Sequence, residues 1–548
     1  AAFQRCRFPL RRFPAIVAVV FGAPMRRLFP LLSALLFSSP AWAYGEQVHS
    51  ILTREALVSQ GFTAASDIAP EDLGVVRTLV DAYGRSHPDP AVQAEWLRRY
   101  PTPESFDAWA FKEFLLFGAG STVNGIDKFD AMGGSQLDLF FQAARQPDDD
   151  FRNRDRLAYD ANRQPLKGPD GKDVPADPAL LNMGKLGALS SQAHAHYGLA
   201  QVEFSSDAEV LKSDPKRFAV AAGYAPGPIL TLAAEMNQIH TDLGLIAALS
   251  DSPHADSLQW QYTGNGFHYL EDVGNQIHTV QVGLYDFFFD AFLQRTWLSF
   301  KTGGGYCGEL RTLASIGIDI LTNHHTISEM LTEKRLVEAF EGKDSPIGKR
   351  LLTAAGREDP VFAAALDAEL AKLGSNPEKE EYGLAITRTL INASSEEGDD
   401  VYRATRGIAL SKWRQAGVLY DWKTEDADAA VHPPDAKNQA LYDEFWSLQE
   451  RAFARAGTAV RRMVQLQKKV VSEAVDPAAK VELRNRVLDR LIRRQLKMMG
   501  EAETRRNSYM SMPVTQASTP ERMPAMLAGQ VAVPVALAGA WMMLRKRA

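Results

Sequence analysis

Cysteine is nearly missing from this sequence, which has two in 548 residues. Cys6 lies before the predicted cleavage site of an N-terminal leader, so Cys307 is the one cysteine of the remaining chain. Removal of the leader therefore excludes an intramolecular disulfide. Without such a cross-link, the folded chain has to be stabilised by its apolar core or by a bound metal ion.

An excess of positive charge is missing too. Lysine and arginine number 61 against 67 aspartate and glutamate, which gives a formal net charge of -6. This balance excludes a general electrostatic attraction for nucleic acid. Sustained alternation of apolar and polar residues is scarce as well, whereas apolar residues recur at helical spacing through most of the chain. The periodicity predicts an all-α fold.

The two ends of the chain carry targeting signals. MRRLFPLLSALLFSSPAWA, from Met25 to Ala43, has the basic start, apolar run and small-x-small ending of a secretory signal peptide, so Tyr44 is the expected mature N-terminus. Met523 to Leu544 is apolar and long enough to cross a bilayer, and a basic cluster follows it. These signals predict export to the periplasm or cell envelope, with membrane anchoring through the C-terminus. The alternatives for the tail are a buried helix and a sorting tail that is processed.

Histidine is distributed unevenly between the two ends. All but one of the 11 histidines precede GKDSPIG, at Gly342–Gly348. We therefore expect two helical regions, because the chain changes character at this break. The predicted divisions are an upstream extension and signal peptide at 1–43, a histidine-rich domain at 44–340, an additional helical region at 341–500, a linker at 501–522 and a transmembrane or sorting tail at 523–548.

The segment AVDPAAKVELRNRVLDRLIRRQLKMMG, in the second region, predicts an amphipathic helix. Asp476 is its expected N-cap, and Pro477 lies in its first turn. The opposite face to the apolar one is rich in arginine, which indicates either a solvated surface or one that lies against anionic lipid. The apolar face consists of Leu483, Val487, Leu488, Leu491 and Ile492.

Residue types that bind metal ions recur at helical spacing in the histidine-rich region. GFHYLEDVGNQIHTVQ has His268 and Asp272 four residues apart, and LTNHHTISEML repeats this spacing with His325 and Glu329. On a helix such pairs share a face and can bind one metal ion. The alternative for any single histidine is a core residue. We assign His240 to that class, because its neighbouring acid two positions away points to the other side of a helix.

Further segments supply residues of the same types. YGEQVH places His49 five positions after Tyr44, whose free α-amine and carbonyl could chelate a metal ion together with this histidine. The remaining candidates are Asp148, Asp149 and Asp150 in ARQPDDDF, His194 and His196 in SSQAHAHYGLA, and His278 at the end of HYLEDVGNQIH.

The motifs and their order resemble the family of zinc-dependent phospholipase C and single-strand-specific nucleases. HYLEDVGNQIH is similar to the family core H-Y-L-G-D-x-x-Q-P-x-H, and HHTISE is similar to the H-x-x-x-[DE] that follows it. YGEQVH resembles the family's aromatic first residue with a histidine five positions later. The resemblance extends over about Tyr44 to Met330. It implies an all-α enzyme with a cluster of about three zinc ions.

The resemblance also implies which residues bind each ion. One zinc would be bound by Asp148, His196, His268 and Asp272, with Asp272 bridging towards a second. Another would be bound by His278, His325 and Glu329, and a third by Tyr44 and His49. Asp149, Asp150 and His194 stay open as alternative ligands, with Asp148 favoured because it directly follows Pro147. The chain differs from the family pattern at Tyr44, where Trp is usual, and at Glu271, where Gly is usual.

The reaction that this resemblance implies is hydrolysis of a phosphodiester. Asp148 would orient or deprotonate the attacking water beside the zinc ions. A phospholipase C-like activity fits the predicted membrane anchor and the lack of excess positive charge. One alternative is a single-strand-specific nuclease, which needs aromatic side chains that stack on bases. Another is a non-catalytic, zinc-stabilised binding protein tethered to the membrane.

Overall fold

The computed structural model describes residues 46–62, 70–107, 136–147, 233–279, 326–373, 381–398 and 436–511, with short pieces elsewhere. In this part of the chain 84% of the residues are helical and no strand occurs, which confirms the all-α prediction. None of the described helices combines the length and the apolar character needed to span a bilayer. The predicted signal peptide at 1–43 and the predicted tail at 523–548 lie outside the described residues.

Twelve α-helices lie in the described ranges. They are α1 (Glu46–Leu57), α2 (Pro70–Arg85), α3 (Pro90–Arg99), α4 (Gln136–Ala143), α5 (Ala233–Ala248), α6 (Ala255–Gly274), α7 (Thr332–Phe340), α8 (Pro346–Gly356), α9 (Pro360–Lys372), α10 (Tyr382–Ser395), α11 (Ala436–Glu473) and α12 (Pro477–Ser511). Short 3₁₀ turns occupy Val58–Gln60, Pro103–Ser105 and Gln276–His278, and a π-helical turn occupies Thr326–Leu331.

Three of the helices start at an aspartate that directly precedes proline: α3 at Asp89, α9 at Asp359 and α12 at Asp476. The side chain of Asp359 accepts a hydrogen bond from the backbone N–H of Val361 at 3.0 Å, at the start of α9. Asp476 accepts one from the backbone N–H of Ala479 at 2.8 Å, at the start of α12. Proline is tolerated directly after each aspartate, because a backbone N–H at the first helical position would have no intrahelical partner. The contact of Asp476 confirms the predicted cap.

Helices α5 and α6 form the centre of the fold. They pack against each other along their length, and each residue of α5 from Ala233 to Ala247 and of α6 from Ser257 to Gly274 is buried. A β-carbon at Gly266 would lie 2.9 Å from Oδ1 of Asn237, so glycine permits this close approach. Because both helices also carry polar side chains, the buried surface of the pair includes groups that need partners.

One apolar core joins helices from both of the regions that the sequence suggested. It includes Trp96 and Leu243 from 44–340 and Leu491 from 341–500. Helix α11 lies against α6 and α10, and α12 lies against α5. Residues of the later region therefore help to hold the central pair in place. The division of the chain at residue 340 stays a prediction about the sequence.

Helix α1 is held in position by a second apolar cluster. Val48, Ile51 and Leu52 of α1 pack in this cluster with Phe445 and Phe453 of α11. The opposite face of α1 packs against α6 and α4. This packing sets the position of α1 along the axis of α6, and that position determines where His49 lies.

Helix α12 buries the apolar face that its sequence predicted. Its five predicted apolar residues are all buried, with at most 4% of any one exposed. The arginines beside this stripe contact other helices: Arg490 pairs with Asp242 at 2.5 Å, and Arg493 pairs with Asp89 at 2.9 Å. Arg490 lies against α5 because α12 packs between α2, α3 and α5, whereas Arg493 remains exposed. Whether the exposed part of this face lies in solvent or against lipid stays a prediction. The helix also continues to Ser511, into the predicted linker at 501–522.

Candidate metal centre

Helices α1 and α6 bring together three predicted ligands that the resemblance divided between two zinc ions, with His49 on one and His268 and Asp272 on the other. One nitrogen of His49, one nitrogen of His268 and one oxygen of Asp272 all lie within 4.8 Å of one another. The three side chains are fully buried. His49 comes from a different helix and is separated from the other two by more than two hundred residues of sequence. This buried group could hold a metal ion.

The distances within the group are long for hydrogen bonds and are compatible with metal coordination. Nε2 of His49 lies 3.4 Å from Oδ1 of Asp272, and Nε2 of His268 lies 3.4 Å from Oδ2 of Asp272. Hydrogen bonds between nitrogen and oxygen are usually about 2.7 to 3.2 Å long. Two ligand atoms at about 2.1 Å from a tetrahedral ion are about 3.4 Å apart. Each separation matches one edge of such a shell, and the two edges end on different oxygens of Asp272, the arrangement of a carboxylate that would bridge two ions.

The backbone directly after α4 orients His268. Nδ1 of His268 lies 2.9 Å from the carbonyl oxygen of Ala144. Because a carbonyl can only accept, Nδ1 carries the hydrogen and donates it. The lone pair of the neutral ring is then on Nε2, which faces Asp272. A second partner of this kind is typical of histidines that bind metal ions, since it fixes both tautomer and ring orientation.

Glu271 orients His49 in the same way, through a contact with Nδ1. Nδ1 of His49 lies 3.0 Å from Oε2 of Glu271, and the hydroxyl of Thr53 donates to the other carboxylate oxygen of Glu271. His49 and Thr53 are four residues apart on α1 and share a face. Glu271 thus directs Nε2 of His49 towards Asp272. The sequence singled out Glu271 as a departure from the family pattern, but the role of its carboxylate was missed, because only packing shows that it meets α1.

Burial and charge together shift the pKa values of this group. Burial lowers the pKa of His49, but the contacts with Asp272 and Glu271 outweigh this effect and raise it to about 10. Burial raises the pKa of Glu271 to about 7, although the hydrogen bonds from His49 and Thr53 oppose the rise. Without a cation the group therefore retains protons at neutral pH. A divalent cation would compete with these protons, so metal binding would release them.

A second buried pair joins two more of the predicted ligands. Nε2 of His278 lies 3.0 Å from Oε1 of Glu329, and both side chains are 1% exposed. His278 belongs to the 3₁₀ turn after α6, and Glu329 to the π-helical turn before α7. Single π-helical turns occur often at functional sites. Ser328, beside Glu329, also donates to Oδ1 of Asn275 at 3.1 Å, which ties the two turns together.

Four of the predicted ligands lie outside the described residues: Tyr44, Asp148, His196 and His325. Two neighbours of these residues nevertheless contact the site. Ala144, four residues before Asp148, accepts the hydrogen bond from His268. Gly198, two residues after His196, donates its backbone N–H to the carbonyl of His278 at 3.1 Å. The assignments of all four residues stay predictions.

His240 behaves as the core residue that the sequence predicted. Its ring is fully buried, stacks on Tyr269 with the centroids 5.8 Å apart, and is not part of the candidate metal group. Burial lowers the pKa of His240 to about 3, so the ring is neutral. Asp242 instead contacts Gln238 at 2.7 Å and Arg490. The two residues therefore do not form a ligand pair.

Comparison with protein-family models, with curated proteins and with solved structures gives no match for this chain. The family resemblance therefore rests on the sequence motifs alone. The geometry around Asp272 is an observation independent of that resemblance.

Proposed function

We propose that this chain is an exported, zinc-dependent phosphodiester hydrolase, most similar in activity to phospholipase C. The observation that carries the proposal is the buried group of His49, His268 and Asp272. Both imidazoles are held through Nδ1, and both direct Nε2 towards the same carboxylate. Two nitrogen ligands, a carboxylate and outer partners for each histidine form a donor set that suits zinc.

The proposed centre contains about three zinc ions, as the resemblance implies. His278 and Glu329 contribute to a second ligand set, because their side chains meet in a buried position. Asp148 and His196 are proposed as further ligands of the ion bound by His268 and Asp272. The contacts of Ala144 with His268 and of Gly198 with His278 support this assignment, since each neighbour is close in sequence to one of the two residues.

The residues of the site have separate tasks in the proposed reaction. Bound zinc would supply positive charge for the phosphoryl oxygens and lower the pKa of a water molecule. His49 and His268 would bind as neutral imidazoles, and Glu271 would keep His49 oriented. Asp148 would orient or deprotonate the attacking water. Because the side chains around Asp272 are buried, their charges act with little screening by bulk water.

The proposed substrate is a phospholipid. The formal net charge of -6 gives no general attraction for nucleic acid, and the predicted tail would hold the protein at a membrane. Nuclease activity is therefore an outcome of the assay below and not the expectation. A second candidate function is a zinc-stabilised binding protein without catalysis. It is favoured by the complete burial of His49, His268 and Asp272, since structural zinc sites are closed.

The test combines metal analysis with two substrate assays on the purified exported chain. We expect bound zinc together with turnover of a phosphatidylcholine analogue. Zinc without turnover of either lipid or single-stranded DNA would favour the structural role. DNA turnover would favour the nuclease, and a folded chain without metal would contradict the proposal.

The ligand assignment is tested with His268→Ala. This change removes one partner of a buried charged group, so we expect loss of zinc and destabilisation by about 3 kcal/mol or more. His240→Ala is the matched control, because it removes a buried histidine from the neighbouring helix. It should lower stability and leave the zinc content unchanged. Equal zinc content in both variants would refute the assignment of His268.

A further inference from the structure

Helix α6 carries a polar stripe that extends beyond the candidate metal ligands. Gln261 and Asn265 precede His268 by seven and three residues, and Asp272 follows it by four. At these intervals the four side chains lie on one face of a helix, one above the other. The stripe is buried throughout. The metal group therefore lies at one end of a row of neutral amide side chains.

Asn265 is the unusual member of this row. Its side chain is 1% exposed, and neither Oδ1 nor Nδ2 has a hydrogen-bond partner among the described residues. Asn237, on the facing helix α5, is buried to the same degree but donates from Nδ2 to Thr387 at 2.8 Å. A buried amide without partners is costly, and an apolar residue of similar size would be more favourable at this position. Asn265 lies one helical turn before His268 on the same face of α6, so its unpartnered amide is available to a ligand at the candidate metal site.

Gln261, at the other end of the row, contacts the residues that directly follow α4. Its Nε2 donates to Oε1 of Gln146 at 2.6 Å, while its own Oε1 has no partner in the described part of the chain. Gln146 comes two residues before Asp148, the proposed water-orienting residue. The row of amides thus connects the segment that leads to Asp148 with the helix that carries His268 and Asp272.

We propose that Asn265 binds the phosphoryl group of the substrate, with its Nδ2 donating a hydrogen bond to a phosphoryl oxygen beside the zinc ions. The proposal rests on the proposed function and deepens it, because it names a substrate-binding residue outside the metal ligands. A neutral amide suits this task, since it donates to an anionic oxygen without competing for the metal ions. Gln261 extends the polar surface towards the rest of the substrate.

The experiment measures the binding of inorganic phosphate to the zinc-loaded chain by calorimetry. In Asn265→Leu we expect unchanged zinc content, equal or higher thermal stability and phosphate binding weakened by about tenfold or more, as loss of a hydrogen bond to a charged group implies. Gln495→Leu is the matched control. Gln495, on α12, is also fully buried, and neither of its amide atoms has a partner among the described residues. Its replacement should change stability similarly and leave phosphate affinity unchanged.

The result that overturns the proposal is wild-type phosphate affinity in a zinc-loaded Asn265→Leu protein. Loss of zinc from this variant would also overturn it, because Asn265 would then support the metal site and not the substrate. A wild-type chain that binds no zinc would instead refute the proposed function, so the two failures are distinguishable. Asn265→Asp keeps the shape of the side chain and adds negative charge. It should weaken phosphate binding further, and it provides the test if the leucine variant does not fold.

Discussion

Helices α6 and α12 belong to the same apolar core but bury different kinds of residue. Helix α12 buries a stripe that consists mainly of leucine, valine and isoleucine, and Arg490 and Arg493 pair with acids outside the helix. Helix α6 is buried on all sides and includes His268, Glu271 and Asp272 among its buried residues. Helix α12 thus indicates where the core lies, whereas α6 carries two of the three residues that could hold a metal ion.

The two helices also differ in their contribution to stability. A fully buried leucine or isoleucine in α12 contributes about 1.5 to 3 kcal/mol relative to an exposed one. The ionisable groups of α6 lose hydration on burial, and this cost is offset only where hydrogen bonds, opposite charges or a metal ion compensate. Helix α6 is consequently maintained by its surroundings, to which α12 contributes by packing against α5. The following predictions test this division, from the largest effect to the smallest.

Leu491→Ala should destabilise the protein most. Leu491 is fully buried in the shared core, so its truncation leaves a cavity and should cost about 2 to 5 kcal/mol. Chemical denaturation measures this loss. Under native conditions the zinc content should equal that of the wild type, because the residue belongs to α12 and not to the candidate centre. Loss of zinc from a variant that remains folded would break the distinction between the two helices.

Glu271→Gln should act on the metal centre with a smaller effect on the fold. The amide keeps the size of the side chain but weakens the hydrogen bond from Nδ1 of His49, so we expect zinc affinity to fall by about 10- to 100-fold. Competition with a chelator measures the affinity. Glu235→Gln is the control, since Glu235 is a buried acid of α5 outside the metal group. Equal affinities in the two variants would remove Glu271 from the set of orienting residues.

Asp476→Ala should have the smallest effect of the three. The aspartate caps the start of α12 through the N–H of Ala479, and loss of such a cap costs about 1 kcal/mol. Thermal unfolding detects a loss of this size. Asp476→Asn retains the acceptor and should keep most of the stability. If alanine and asparagine behave alike, the cap contributes nothing and α12 depends on its apolar stripe alone.

Several features of the protein follow from local sequence. Helical periodicity predicts the all-α fold, an aspartate before proline predicts the start of α12, and its apolar stripe predicts the buried face. The four-residue interval between His268 and Asp272 predicts that their side chains meet, as the 3.4 Å separation confirms. Such predictions succeed because helix geometry alone relates residues that are close in sequence.

Contacts between distant residues were decided by tertiary structure. The sequence offered no reason for His49 to meet Glu271, which is 222 residues away, or for the arginines of α12 to meet Asp242 and Asp89. Periodicity identifies the buried face of a helix. It does not identify which other helix covers that face, or where along the axis the two helices meet. The packing of α1 between α6 and α11 settled that choice here. The amino-acid sequence thus determined the helices and the residue types of the candidate centre, and only the tertiary structure decided which of these residues share one buried site.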